Sequence, residues 1–342
     1  MNFRYFKPVE IKSELCELGR VTVSDDGILM DWSASGVMLK FSGSGFSVKF
    51  APFTEIEEKY VPVYLAVELD GHKSRFAVTS GKETLEIPCE YGEHTLRIFR
   101  ISEGKVPFYI TEFRITSAEG EDEPKILQKP CEKKHRIVFF GDSITAGYGN
   151  LGYPDSEFLI DEEDVTKAYS YKTAELLSAE PEIVAISGQG ILRDCSGAEG
   201  TPISNFYRFQ SRTKKTICKF EKQPDIVIIN AGTNDFSGKV GFDEFYDGCM
   251  AFLRNIRKAY PKAEIIWFYG LMGLNFDGVL KKVEKDITPE IGKFHYLSTR
   301  TIYENRPQEV GGVGHPSADG ALRAAKELSA YIKSLGILEE HK

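Results

Sequence analysis

Ile137-Val138-Phe139-Phe140-Gly141-Asp142-Ser143-Ile144-Thr145 is an apolar run that breaks, without a spacer, into glycine, aspartate and serine. Short continuous apolar runs bounded by turn residues are the pattern of strands buried on both faces of a parallel sheet. The form recurs at 183–186, 226–229 and 265–268. Between these runs the period becomes helical, as in Phe242, Phe245, Tyr246, Cys249, Phe252, Leu253 and Ile256. A last helix is predicted from Ser317 as its cap, through Leu322, Ala325, Leu328, Ile332 and Leu335, to a stop at Gly336. Strands alternating with helices over 135–342 predict a three-layer α/β sandwich with a parallel sheet, whose site gathers at the carboxyl ends of its strands.

Upstream the pattern differs. Residues 1–118 hold short runs rich in β-branched and aromatic residues, at 19–24, 28–32, 37–41, 45–50, 61–69, 74–79, 83–87, 94–101 and 108–115. Asp26-Gly27, Asp70-Gly71, Ser80-Gly81 and Tyr91-Gly92 are read as the turns between them. An all-β sandwich of jelly-roll type is predicted, with Trp32 in its core. Residues 119–134 are charged and bracketed by proline, and are read as a linker.

A net charge of −8 argues against nucleic acid or an anionic membrane as the main partner. No apolar run reaches transmembrane length, and the first residues hold no segment of signal-peptide length, so either a leader has been removed or the protein is cytoplasmic, and the scattered cysteines favour the second. Cys16, Cys89, Cys131, Cys195, Cys218 and Cys249 are scattered, most of them read as small buried hydrophobes, and the six histidines are dispersed. Neither a metal nor a cofactor is expected.

Four segments, each just beyond a predicted strand or before a predicted helix, carry the chemistry. Gly141-Asp142-Ser143 places a hydroxyl on the turn after the first run. Ser187-Gly188-Gln189-Gly190 follows the second and offers an unobstructed N–H at Gly188. Asn230-Ala231-Gly232-Thr233-Asn234-Asp235 follows the third, with the Asn234 amide as a donor and Asp235 read as bonding its own turn. Gly314-His315-Pro316-Ser317 enters the last helix and supplies a base. Each alone is also an ordinary turn, loop glycine or structural histidine; the set, in this order, is what acyl transfer needs.

The set resembles the GDSL or SGNH hydrolase superfamily. The resemblance implies Ser143 as nucleophile, His315 as base, and an oxyanion hole of the Ser143 N–H, the Gly188 N–H and the Asn234 side chain. The run Gly-Asp-Ser-Ile-Thr-Ala-Gly-Tyr-Gly-Asn (141–150), Ser-Gly-Gln-Gly-Ile and His-Pro-Ser, behind a β-sandwich, look like carbohydrate esterase family 2. That resemblance implies removal of acetyl groups from xylan or glucomannan, with an acetylated oligosaccharide as partner. One departure stands out: where the family has an acid three or two residues before the histidine, this chain has Gly312 and Val313. A backbone carbonyl behind His315, giving a Ser-His dyad, is the favoured reading. The alternatives are Glu309 or a distant acid folding in, and an impaired esterase.

A small acyl group requires only a shallow pocket, so specificity would come from aromatic residues near the catalytic edge. Tyr148, Tyr153, Tyr207 and Phe276 are the candidates, Phe206 lies close by, and Trp267 is read as core. The loop 147–168 is the expected specificity wall. The rival readings are an SGNH-fold esterase, lipase or thioesterase with another acyl substrate, and a carbohydrate-binding protein with an inactive hydrolase half. The sandwich itself is left with three roles: binding glycan, walling the site, or assembling a homo-oligomer.

Overall fold

Val37, Leu39 and Phe41 alternate with Met38 and Lys40, and after two glycines the core-facing set resumes one step out of phase at Phe46, Val48 and Phe50. A single strand spans both stretches in the computed structural model, which describes residues 2–51, 62–130, 132–304 and 306–338. Val61, expected to open a strand, and Cys131 lie outside the described residues. Two units divide the chain: Met1–Glu132 with Gln210–Thr216, and Lys133–Phe209 with Ile217–Lys342.

The first unit is antiparallel throughout. Its strands are β1 (Asn2–Phe6), β2 (Cys16–Leu18), β3 (Thr22–Ser24), β4 (Gly27–Leu29), β5 (Gly36–Ala51), β6 (Val63–Leu69), β7 (His72–Val78), β8 (Thr84–Arg100), β9 (Tyr109–Ser117) and β10 (Lys125–Ile126). β5 pairs with β8 along nearly its whole length, across an irregularity between Gly43 and Gly45. Before that bulge its other neighbours are β2 and β10; after it, β9. The bulge shifts the pleat by one residue, so both halves of β5 turn their apolar side chains into one core with Ile98, Phe113 and Ile115. Trp32 is buried, and its indole N–H donates to the Gln210 carbonyl at 3.0 Å.

Three expectations change here. Tyr91-Gly92 is no turn: both residues lie inside β8, because the β5–β8 pairing continues through the bulge with Gly43 opposite Gly92. The stretch read as a linker supplies β10, and the first unit runs on to Glu132. Gln210–Thr216, expected in the α/β half, belongs to the first unit, where the Ser211 hydroxyl and the Thr213 N–H donate to the buried Asp31 carboxylate at 2.6 and 2.9 Å.

The second unit has a parallel sheet of β11 (Arg136–Gly141), β12 (Glu180–Ala185), β13 (Ile226–Asn230), β14 (Glu264–Tyr269) and β15 (Phe294–Ser298), ordered β12-β11-β13-β14-β15. Its helices are α1 (Ser143–Ala146), α2 (Tyr169–Leu176), α3 (Ile203–Phe206), α4 (Thr233–Ser237), α5 (Phe242–Ala259), α6 (Asp277–Ile291) and α7 (Ala318–Ser334). Ile137, Val138, Phe139 and Phe140 are all fully buried, as strands covered on both faces require. The order reverses at β11, between β12 and β13, and a topological switch point of this kind opens a crevice beyond the carboxyl ends. Register makes those ends level: Gly141 of β11 lies opposite Ala185 of β12 and Asn230 of β13.

Candidate active site

Ser143 comes two residues after the end of that level row, at the first position of α1. Gly188 and Asn234 come three and four residues after it on the flanking strands, so adjacent strand ends deliver all three. His315 reaches the same place from the loop before α7, which the Ser317 hydroxyl caps by accepting from the Gly320 N–H. The Ser143 hydroxyl lies 2.9 Å from His315 Nε2. Among the described residues neither the Ser143 N–H nor the Gly188 N–H has a hydrogen-bond partner. Gly188 has φ +79°, a conformation a side chain would strain.

The Asp142 carboxylate joins the nucleophile to the third donor. Oδ1 accepts from the Ile144 N–H at 3.0 Å, capping α1, and Oδ2 accepts from the Asn234 amide at 3.0 Å. The second amide hydrogen of Asn234 goes to the Gln189 carbonyl at 3.1 Å. Asp142 is completely buried, and that burial, with the Asp235 carboxylate nearby, pushes its carboxyl up to about 7 against the hydrogen bonds that favour its charge.

Asp235 does more than close its own turn. Its carboxylate accepts from the N–H groups of Ile191 and Leu192 at 2.8 Å and of Arg193 at 3.3 Å, pinning the loop that follows Gly188. Burial also raises its carboxyl above the ordinary range. Sequence reading missed Asp142 and Asp235 as positioning groups. Their signal was present in their spacing from Ser143 and Asn234, but which backbone each would bind depends on the fold.

On the other side His315 Nδ1 lies 3.2 Å from the Val313 carbonyl. Val313 has φ +53° and ψ 32°, the left-handed region that a β-branched residue rarely enters. Gly149 brings the backbones together here: the Gly312 N–H donates to the Gly149 carbonyl at 2.7 Å, and a Cβ on Gly149 would sit 2.7 Å from the Gly312 carbonyl oxygen. Burial lowers His315 below its ordinary 6.5, opposed by the Val313 and Gly312 carbonyls, which favours the neutral ring. Glu309 does not serve it. Burial works to raise the Glu309 carboxyl, but Arg300 at 2.5 Å and Arg323 at 3.1 Å hold it below its ordinary value.

The aromatic candidates separate. Tyr148 stacks on Phe158 with centroids 3.8 Å apart, and its ring lies 4.8 Å from that of His315. Tyr153 is 78% exposed. Tyr207 packs edge-on against Phe140 and Phe252, so it belongs to the helix–sheet contact and not to the catalytic edge. Phe276 is fully buried and stacked on Phe245 at 3.9 Å, which leaves no face for a substrate. Trp267 is fully buried, as read, with its N–H on the Ala231 carbonyl. The loop 147–168 is closed by Asn150, which exchanges two hydrogen bonds with Asp164 at 2.8 and 3.1 Å. Of the cysteines, read mostly as small buried hydrophobes, Cys16 and Cys249 are buried, Cys89 and Cys218 are half-buried and Cys195 is exposed. Among the described residues no helix is long and apolar enough to cross a membrane, and no cluster of three metal-ligating side chains occurs.

Residues 139–322, more than half of the chain, match the GDSL-like lipase/acylhydrolase family. The chain belongs to that family. Residues 18–130 match the carbohydrate esterase 2 N-terminal domain. These are the families that the Ser143, Gly188, Asn234 and His315 segments resembled. The chain is 28% identical over 274 residues to the cellulase/esterase CelE of Acetivibrio thermocellus, covering 76% of this chain and 32% of that protein. It is 25% identical over 256 residues to an acetylxylan esterase / glucomannan deacetylase of Cellvibrio japonicus, covering 71% of this chain and 68% of that one. The chain thus spans about a third of the length of the first relative and about two thirds of the second. The structure of a family two carbohydrate esterase from Clostridium thermocellum in complex with cellohexaose is similar with a TM-score of 0.81 and 26% identity, over 94% of this chain and 99% of that one.

Proposed function

We propose that this chain is a serine carbohydrate esterase that removes O-acetyl groups from xylan or glucomannan oligosaccharides through a Ser143–His315 dyad. The observation that carries the reading is the 2.9 Å contact between the Ser143 hydroxyl and His315 Nε2, with His315 Nδ1 turned to a peptide carbonyl. Nδ1 then keeps its proton, and Nε2 is the basic nitrogen that faces the nucleophile. Family membership and the names of the relatives point to sugar esters as the substrate class.

The reaction follows from these positions. Ser143 Oγ attacks the acetyl carbonyl carbon while its proton passes to His315 Nε2, and the carbonyl oxygen becomes an oxyanion. The free N–H groups of Ser143 and Gly188 face that charge. Asn234 contributes the amide hydrogen that Gln189 holds at rest, since Asp142 retains the other. The tetrahedral intermediate collapses, the C–O bond to the sugar breaks, and His315 returns the proton to the departing sugar hydroxyl. Water then attacks the acetyl-enzyme by the same route, releasing acetate.

The crevice beside Ser143, bordered by Ile144, Tyr148, Leu271 and Pro316, offers no channel for a long acyl chain. The test is product analysis by NMR on acetylated manno- and xylo-oligosaccharides, alongside acetyl and octanoyl esters of 4-nitrophenol. Acetate release from the sugars with a marked preference for the acetyl ester is expected. Preference for octanoyl ester without sugar deacetylation would make the protein an esterase of another class.

A further inference from the structure

In the first unit, one face of the sheet is polar and carries two aromatic rings that nothing covers among the described residues. Register sets Tyr5 of β1 opposite Arg114 of β9, Arg114 opposite Ser47 of β5, and Ser47 opposite Glu86 of β8. Four side chains therefore form one row across three strand spacings, roughly 14 Å. The next row sets Glu112 beside Lys49 and Lys49 beside Thr84. These residues line a groove of about 230 Å³. Phe113, Ile115, Phe46 and Val48, which alternate with them, fill the core beneath.

The groove is built, not incidental. Ser47 forms its floor and is buried although it points away from the core. Its hydroxyl accepts from Arg114 Nε at 3.0 Å, and Arg114 Nη2 donates to both oxygens of Glu86 at 2.7 and 2.9 Å. The guanidinium is thus held flat, with Tyr5 at one end of the row. Tyr5 is 52% exposed and Phe3, two residues along the same strand face, is 56% exposed. Their rings meet edge to face with centroids 5.6 Å apart.

We infer that this face binds a neutral oligosaccharide. Two cations, Lys49 and Arg114, are balanced by two carboxylates, Glu86 and Glu112, so the groove has no net charge with which to select a phosphate or a nucleic acid. It offers donors and acceptors in close alternation beside apolar ring faces. A sugar presents the complement, a fan of hydroxyls around an apolar ring face. The volume is below the roughly 300–1,000 Å³ of pockets that enclose a whole ligand, so it seats one ring of a longer chain that lies across the strands. The groove's residues all belong to the first unit, and the inference stands whether or not Ser143 removes acetyl groups. It would hold the chain on a glycan while the catalytic unit acts.

The test is calorimetric titration of the full chain with unacetylated xylohexaose, mannohexaose and cellohexaose, which are not turned over. Tyr5→Ala and Lys49→Ala, both at exposed positions, should each weaken binding of at least one glycan about tenfold. Tyr5→Trp should retain it, and hydrolysis of 4-nitrophenyl acetate should be unchanged in all three. Equal affinity in wild type and Tyr5→Ala, or no binding by wild type, would overturn the proposal. So would self-association of the wild type that Tyr5→Ala abolishes without changing glycan affinity, which would assign the face to a second copy of the chain.

Discussion

On the side of β12 and β13 the donors proposed to act with Ser143 are fixed by carboxylates; on the side of α7 its hydroxyl meets a histidine fixed by a peptide carbonyl. Asp142 and Asp235 together accept five hydrogen bonds, from the Ile144, Ile191, Leu192 and Arg193 N–H groups and from the Asn234 amide. Behind His315, among the described residues, stand the carbonyls of Val313 and Gly312, the first belonging to a residue in a strained conformation. The difference teaches which parts of an acyl-transfer site need charge. The proposed oxyanion donors come from three separate chain segments, and buried carboxylates hold these in register. In the proposed dyad the histidine needs only its tautomer and orientation set, and a carbonyl would supply both, though without a charge to stabilise an imidazolium.

The largest effect expected comes from the pair both sides share. Ser143→Ala should lower kcat by roughly 10⁴–10⁶-fold, and a fluorophosphonate probe that labels the wild type should no longer attach; retained labelling would place the nucleophile elsewhere. Next is the carboxylate-held side. Asn234→Ala should reduce kcat by about 10²–10³-fold with little change in KM, since the donor acts on charge that develops only in the transition state. A loss confined to KM would remove Asn234 from the oxyanion hole.

Asp142→Asn replaces the acceptor facing Asn234 by a group that can also donate. A fall in kcat of about 10–100-fold is expected, the equivalent of one lost buried hydrogen bond to a charged partner. The same variant tests the electrostatics. The Asp142 carboxyl is raised in the fold from 3.8 to about 7. Its contribution to stability is therefore full below pH 3.8 and is lost as pH rises through about 7. Urea unfolding of the wild type should show that loss, and Asp142→Asn should flatten it.

The smallest effect belongs to the carbonyl-held side. Val313→Asn puts a residue that tolerates the left-handed region in place of one that does not. Stability should rise by about 1 kcal/mol, read as a higher Tm, and activity should hold, because the group that faces His315 is backbone. A large loss of activity would mean that the valine side chain, and not its carbonyl, serves the site.

Much of this was legible in the sequence. Runs such as Ile137 to Phe140 announced buried parallel strands because continuous apolar character leaves no face for water; Ser143, Gly188 and Asn234 each followed an element end that such runs locate, and His315 preceded the capped last helix. The roles of Asp142 and Asp235 were not legible, because a carboxylate after a strand looks alike whether it bonds its own turn or a loop more than forty residues away. Phe276 and Tyr207 were misplaced for a related reason: an aromatic near a loop reads as exposed until the helix beside it is positioned. Tyr91-Gly92 was read as a turn although a bulge at Gly43–Gly45 in its partner lets the strand continue.

The contrast between the two sides rests on His315 having no acid behind it among the described residues, and the pH dependence of kcat/KM for 4-nitrophenyl acetate tests that directly. Burial lowers His315 below 6.5, so the base takes up its proton at a lower pH than an ordinary histidine. The expected acid limb falls at a pH below 6.5, and Val313→Asp, which sets a carboxylate two residues before the histidine, should move it upward by about one unit or more. A wild-type limb above 6.5 would mean that a carboxylate already faces His315, and would contradict the dyad.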